Sequence, residues 1–258
     1  MPADHRRKPI FADMPETHPQ LHTALSPALL QLYDVGNTVV VIIDVLRATS
    51  TIAAALFNGA KYVIPVDSVA KCIELGKQIN CVTAGERDGK IAAGLSYGNS
   101  PYEYPREFIN GKILVLTTTN GTKLLHMALD RGARHIVTGS FPNLSSVCDY
   151  LTSQMQNVIL ACAAWKDKPN LEDMLFAGAV ISRVRNQFEI NCDSSRMAET
   201  IYNQASGDLF GFMKERQASH FLRLSGFGLD KDIAYCLSPD KADILPFFEN
   251  GKLVIHSK

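Results

Sequence analysis

The residues with most chemistry to offer stand where apolar runs end. Val39-Val40-Val41-Ile42-Ile43 is an unbroken β-branched run that stops at Asp44. Arg47 follows, and then Thr49, Ser50 and Thr51. A carboxylate there can hold a hard cation, take a proton or attack phosphorus. A guanidinium beside it can grip an oxyanion through two hydrogen bonds. The same residues also suit a plainer role, with Asp44 paired to Arg47 and the hydroxyls capping a helix.

Four further clusters follow the same pattern: Glu86-Arg87-Asp88, Thr117-Thr118-Thr119-Asn120-Gly121-Thr122, Ser140 with Asn143, and Cys162 followed by Glu172 and Asp173. The threonine run offers hydroxyls, an amide and a glycine at a helix start, which suits an anion cradle or an ordinary cap. Arg47 and Arg87 suit phosphate, or neutralise a neighbouring carboxylate. Asp44, Glu86, Glu172 and Asp173 are hard oxygen ligands of the kind Mg²⁺ takes. Glu172 and Asp173 equally suit the first turn of a helix, where acids meet its dipole. Cys162 reads as core, because no histidine is near it in sequence and buried thiols are inert. Trp165 and Tyr97 read as pocket walls or as packing.

The elements that must position these groups alternate. Strands are expected at 20–26, 39–43, 62–66, 81–84, 112–116, 135–138 and 158–161. Helices are expected at 52–59, 69–79, 123–129, 144–155 and 171–184. Strand and helix in turn predict an α/β fold, a three-layer α/β/α sandwich on a largely parallel or mixed sheet. The right-handed crossover then brings the strand ends, and their polar clusters, to one rim. The loop 90–110, with Asn99 and Ser100, is long, polar and glycine-rich, which marks functional loops. Beyond 186 the rhythm changes: helices are expected at 197–202 and 208–224, and strands at 233–236 and 253–255. Residues 1–19 read as a loosely ordered extension and 20–258 as a single domain.

Composition narrows the partners. The chain has 258 residues, with 26 Lys+Arg against 26 Asp+Glu. That balance argues against nucleic acid or an anionic membrane held by bulk charge. No apolar run is long enough for a membrane span, and no apolar segment follows the basic residues near the start. Six cysteines and seven histidines show no zinc spacing. Reduced thiols, a cytoplasmic location and an oxygen-bound metal follow as expectations; a homodimer is left open.

At these residues the sequence resembles the 2-phosphosulfolactate phosphatase family. The resemblance rests on Ile43-Asp44-Val45-Leu46-Arg47-Ala48-Thr49-Ser50-Thr51, Gly85-Glu86-Arg87, Gly98-Asn99-Ser100-Pro101 with Glu103-Tyr104, Thr117 to Thr122, Gly139-Ser140-Phe141 with Asn143, and Leu171-Glu172-Asp173 with Ala177-Gly178-Ala179. A weaker likeness continues through Gly226, Asp232 and Cys236 to Pro246. The resemblance implies a Mg²⁺-dependent phosphatase of α/β/α fold that removes phosphate from 2-phospho-3-sulfolactate, a step of coenzyme M biosynthesis in methanogens. One departure is local: the family is glycine-rich after the cysteine equivalent to Cys162, where this chain has Ala163, Ala164 and Trp165.

The expected site thus has Asp44, Arg47, Glu86 and Arg87 in the chemistry. Asn99, Ser100, Thr117, Thr118, Thr119, Asn120, Ser140 and Asn143 are expected on a small anionic phosphorylated substrate. Asp44, Glu86, Glu172 and Asp173 are expected on Mg²⁺. Three rivals stand beside this: an aspartyl-phosphate on Asp44, a non-catalytic binder of an anionic metabolite, and a cysteine hydrolase using Cys162. The first is weakened because Leu46 stands where a second acid is needed.

Overall fold

The computed structural model describes residues 18–87 and 89–256. Most of the extension expected over 1–19 lies outside the described residues, as does Asp88.

The apolar strand that ends at Asp44, β2 (Val39–Ile43), is buried along its whole length. It lies between β7 (His135–Gly139) and β8 (Val158–Cys162), parallel to both, and β1 (Leu21–Ala24) flanks β8 at the edge. A strand with neighbours on both edges and helices on both faces has no solvent side, which is why every residue is apolar. A second parallel block contains β3 (Tyr62–Pro65), β6 (Ile113–Thr117) and β4 (Val82–Arg87), with β5 (Lys90–Ile91) folded back on β4. The late hairpin of β9 (Pro246–Glu249) and β10 (Lys252–Ile255) joins the blocks. It runs antiparallel, pairing Phe247 with Val137 and Leu253 with Val63. The sheet is therefore mixed, in the order β1-β8-β2-β7-β9-β10-β3-β6-β4-β5.

Alternate strand residues face opposite layers. Val39, Val41, Ile43, Val158 and Leu160 pack with α5 (Leu144–Gln154), α6 (Leu171–Val184) and the helices after them. Val40, Ile42, Ile159 and Leu114 pack with α1 (Ala48–Phe57) and α4 (Gly121–Asp130). On the first face of the second block lies α2 (Val69–Gln78), whose start is capped by Ser68 Oγ accepting from Lys71 N at 3.2 Å. The sandwich has the three layers expected.

Registry sets the rim. Ile43 pairs with Gly139 and with Cys162, and Gly85 pairs with Thr117. Asp44, Ser140 and Ala163 therefore follow directly from adjacent strand ends. The loop 90–110 is not irregular throughout. It contains β5, a 3₁₀ turn at Pro101–Glu103 and α3 (Arg106–Ile109), and fully buried Tyr104 donates its hydroxyl to Gly98 O at 2.7 Å.

The C-terminal third departs from expectation. The single helix expected at 208–224 is two, α8 (Leu209–Glu215) and α9 (Ser219–Ser225), because Gln217 takes a left-handed conformation with φ of 51°. The run at 233–236, expected as a strand, belongs to α10 (Asp230–Cys236). Its buried residues Asp232, Ile233 and Cys236 fall on one helical face, a spacing that four consecutive apolar letters conceal. The expected helix at 197–202 is the middle of α7 (Asp193–Ala205). That helix crosses α6 so closely that a Cβ on Gly178 would stand 2.1 Å from Ala198 O.

Candidate active site

The turn between β2 and α1 is tied by the hydroxyls that follow it. Thr49 Oγ1 donates to Asp44 O at 2.8 Å and accepts from Asp44 N; Ser50 Oγ donates to Val45 O; Thr51 Oγ1 donates to Asn99 O. The three hydroxyls thus hold the loop, leaving the Asp44 side chain to the cleft. Among the described residues that side chain makes one long hydrogen bond, Oδ1 accepting from Ala48 N at 3.4 Å. Burial pushes its pKa up to about 6, with Glu86 adding to the rise and His220 opposing it. Arg47 does not pair with Asp44. It forms a buried ion pair with Asp232 of α10, whose other oxygen accepts from Ser100 Oγ at 3.0 Å.

Glu86, near the end of β4, lines the same cleft as Asp44 and is close enough to raise its pKa. Its Oε1 accepts from Thr119 N at 3.1 Å and Thr119 Oγ1 at 2.9 Å, and its Oε2 accepts from Gly89 N. The threonine run is mostly spent on itself. Thr118 and Thr122 exchange backbone and hydroxyl bonds, and Thr117 Oγ1 accepts from Arg87. Thr119 and Asn120 alone of that run line the cleft. The expected hydroxyl cradle is therefore narrower than its sequence, and what it offers is the first turn of α4 beside Asp44.

The third wall was not legible as a site. His220, from α9, lines the cleft with its Nδ1 2.6 Å from Glu172 Oε1. Burial alone would lower the His220 pKa, but the charge and hydrogen bond of Glu172, helped by Asp44, outweigh it and the net direction is up. Trp165 stacks on the His220 ring at 6.3 Å and 12°, and the Arg223 guanidinium lies 5.3 Å from the Trp165 ring centre. Trp165 stands in a tight turn with Lys168, in which Ala164, Lys166 and Asp167 take positive φ. Lys166 and Arg223 complete the lining. His220 and Arg223 lie on a short amphipathic segment with no motif; their only sequence signal is a histidine set among core letters. Asp232 appears in sequence only within the weaker end of the family likeness.

The structure thus brings Asp44, Arg47, Glu86, Asn99, Thr119 and Asn120 to one cavity of about 60 Å³. Other expected residues lie elsewhere. Arg87 and Thr118 line a neighbouring groove. Ser140 and Asn143, both buried, bond each other, and the Asn143 amide donates to Thr138 O and Ile244 O. Asp173 accepts from Val45 N and Ala164 N, one per oxygen, tying two strand ends together. Burial, with Glu172 and Asp44 nearby, pushes its pKa well up. Cys162 is core, its thiol pKa driven far up by burial. The four acids expected around one metal do not converge; among the described residues no three His, Cys, Asp or Glu side chains do so. Asp44 and Glu86 are the pair that faces the cavity.

The family described as 2-phosphosulpholactate phosphatase matches residues 24–251, which hold every side chain that lines the cleft. The chain belongs to the 2-phosphosulpholactate phosphatase family. Family members are phosphoric monoester hydrolases. A protein of Caldanaerobacter subterraneus subsp. tengcongensis named probable 2-phosphosulfolactate phosphatase is 37% identical, over 86% of this chain and 96% of its own. Proteins of the same name from Thermotoga petrophila and Thermotoga maritima are 39% and 38% identical, each over 83% of this chain and 91% of theirs. Among the described residues no helix is long and apolar enough to cross a membrane.

Proposed function

We propose that this cleft hydrolyses the phosphate ester of a small sulfonated or carboxylated hydroxy acid, with 2-phospho-3-sulfolactate giving 3-sulfolactate and phosphate as the first choice. The carrying observation is the facing of Asp44 and Glu86 inside a cavity whose rim also carries Arg47, Lys166 and Arg223. A site that only bound an anion would gain nothing from two carboxylates turned toward it, so the acids argue for turnover rather than storage.

The residues fit Mg²⁺. That ion takes one or two protein carboxylates and completes its shell with water and phosphate oxygens. Asp44 and Glu86 supply the pair, and Asn99 Oδ1, buried without a partner among the described residues, is a further oxygen at the same cavity. When bound, the ion would supply positive charge against the phosphoryl oxygens. The chain itself does the rest. Arg47, held by Asp232, presents a fixed cation to the phosphate. Lys166 and Arg223 face the second anionic group. The ionised Asp44 carboxylate, turned to the cavity, accepts the proton of the attacking water.

Reduced thiols and a cytoplasmic setting belong to the same reading; all six cysteines are unpaired. The test is phosphate release from 2-phospho-3-sulfolactate by protein stripped with chelator, with and without added Mg²⁺. Mg²⁺-dependent release is expected. Full activity after exhaustive chelation would remove the metal from the proposal, and no release under either condition would remove the substrate.

A further inference from the structure

Glu172 is fully buried, and no lysine or arginine is paired with it among the described ion pairs. Its Oε1 meets His220 Nδ1 at 2.6 Å and Asn170 Nδ2 at 2.9 Å, while its Oε2 has no partner among the described residues. An acid placed only to start α6 would spend its oxygens on backbone amides, as Asp173 next to it does on Val45 and Ala164. Glu172 instead spends one oxygen on an imidazole from a helix 48 positions away. A buried carboxylate left without charge compensation is costly, so Glu172 favours the imidazole that carries a proton on each nitrogen, and the His220 pKa moves up accordingly. With Nδ1 held by Glu172, Nε2 is the nitrogen left to the cavity that His220 lines together with Asp44 and Arg47. Trp165, stacked nearly parallel to the ring, restricts its swing.

We propose that His220 is the general acid of the phosphatase reaction and that Glu172 is the residue that positions it, an inference that rests on the phosphatase reading above. The water oxygen bonds to phosphorus and gives its proton to the Asp44 carboxylate. The bond from phosphorus to the ester oxygen breaks with its electron pair on that oxygen. The ester oxygen takes the proton from His220 Nε2 and leaves as the alcohol. Exchange with solvent then removes the proton from Asp44 and returns one to His220, so ester and water become alcohol and phosphate with nothing else consumed.

The role is read from the leaving group. An alkyl ester such as 2-phospholactate expels a strongly basic oxygen that needs the proton; 4-nitrophenyl phosphate expels one that does not. His220→Asn keeps a side-chain nitrogen near the Nδ1 position for Glu172 but removes Nε2, and Glu172→Gln keeps the shape of the positioning residue. For His220→Asn, kcat/KM on 2-phospholactate is expected to fall about 10²- to 10⁴-fold, the usual range for a lost general acid. On 4-nitrophenyl phosphate the fall should stay under about tenfold. Glu172→Gln should split the two esters in the same direction and by less. Both rates come from one sample, so a partly unfolded variant cancels in their ratio. Equal losses on the two esters, with wild-type turnover intact, overturn this inference alone. Wild-type protein that turns over neither ester overturns the phosphatase reading and this inference with it.

Discussion

A methyl group on Gly121 would stand 2.7 Å from Asp44 Oδ2. The same added carbon would lie 3.0 Å from Ala48 Cβ, so the first turns of α4 and α1 close around the carboxylate with no room for a side chain. The contact couples the two parallel blocks of the sheet: Asp44 follows β2, and Gly121 follows β6. Gly121→Ala is accordingly expected to displace the Asp44 carboxylate and lower turnover by about tenfold or more, since small misplacements at a reacting centre are costly. Circular dichroism and phosphate release on the same sample check it; an alanine variant with wild-type turnover would mean that Asp44 tolerates the shift.

Asp44→Asn should separate chemistry from stability. Turnover is expected to fall by roughly two or more powers of ten, as for other lost catalytic groups. Stability of the metal-free protein should move the other way. The folded pKa of Asp44 is raised by burial to about 6 from an ordinary value near 3.8. A raised pKa means that the fold favours the protonated acid. Its stabilisation is complete below the unfolded pKa and is lost as pH rises through about 6. At pH 7 to 8 the ionised group costs the wild type on the order of 2 to 3 kcal/mol, a cost the asparagine variant escapes. Melting curves at pH 4 and pH 8 should therefore show a gain for Asp44→Asn at the higher pH that shrinks at the lower. A variant that is less stable than wild type at pH 8 would assign Asp44 a structural role.

Asp232→Ala should destabilise the protein strongly. The Arg47–Asp232 pair is almost fully buried, at 5% and 8% side-chain exposure, so losing Asp232 strands a guanidinium in the interior. Loss of one partner of a buried pair costs about 3 to 5 kcal/mol. Ser100 loses its acceptor in the same variant. Urea unfolding gives the value, and a loss below about 1 kcal/mol would show that the pair is solvated.

Cys162→Ala should leave turnover per folded molecule near wild type. The thiol lies in the core with its pKa far above neutrality, so no thiolate is present to attack. A small cavity should cost roughly 1 to 2 kcal/mol. A folded variant that has lost nearly all activity would restore the cysteine mechanism.

Local pattern determined a good deal of this protein. Five consecutive β-branched residues ending at Asp44 can only be a strand covered on both faces, and β2 is that strand. Leu171 to Val184 carries a helical period between an acidic first turn and a basic last one, and α6 has those bounds. Strand ends in a parallel sheet share a rim, which was enough to bring Asp44, Arg47, Glu86, Asn99, Thr119 and Asn120 together. Only the tertiary structure decided which polar groups those residues meet. Arg47 turns to Asp232, 185 positions on, and Glu172 to His220; Ser140, Asn143 and Asp173 bond inward. Periodicity records whether a residue faces a core, but not which distant helix supplies the other side of the contact. The C-terminal segments show this most clearly: α9 and α10 are too short for their period to be read, and they acquire helix, burial and a place at the cleft by packing on a layer that the earlier chain has built.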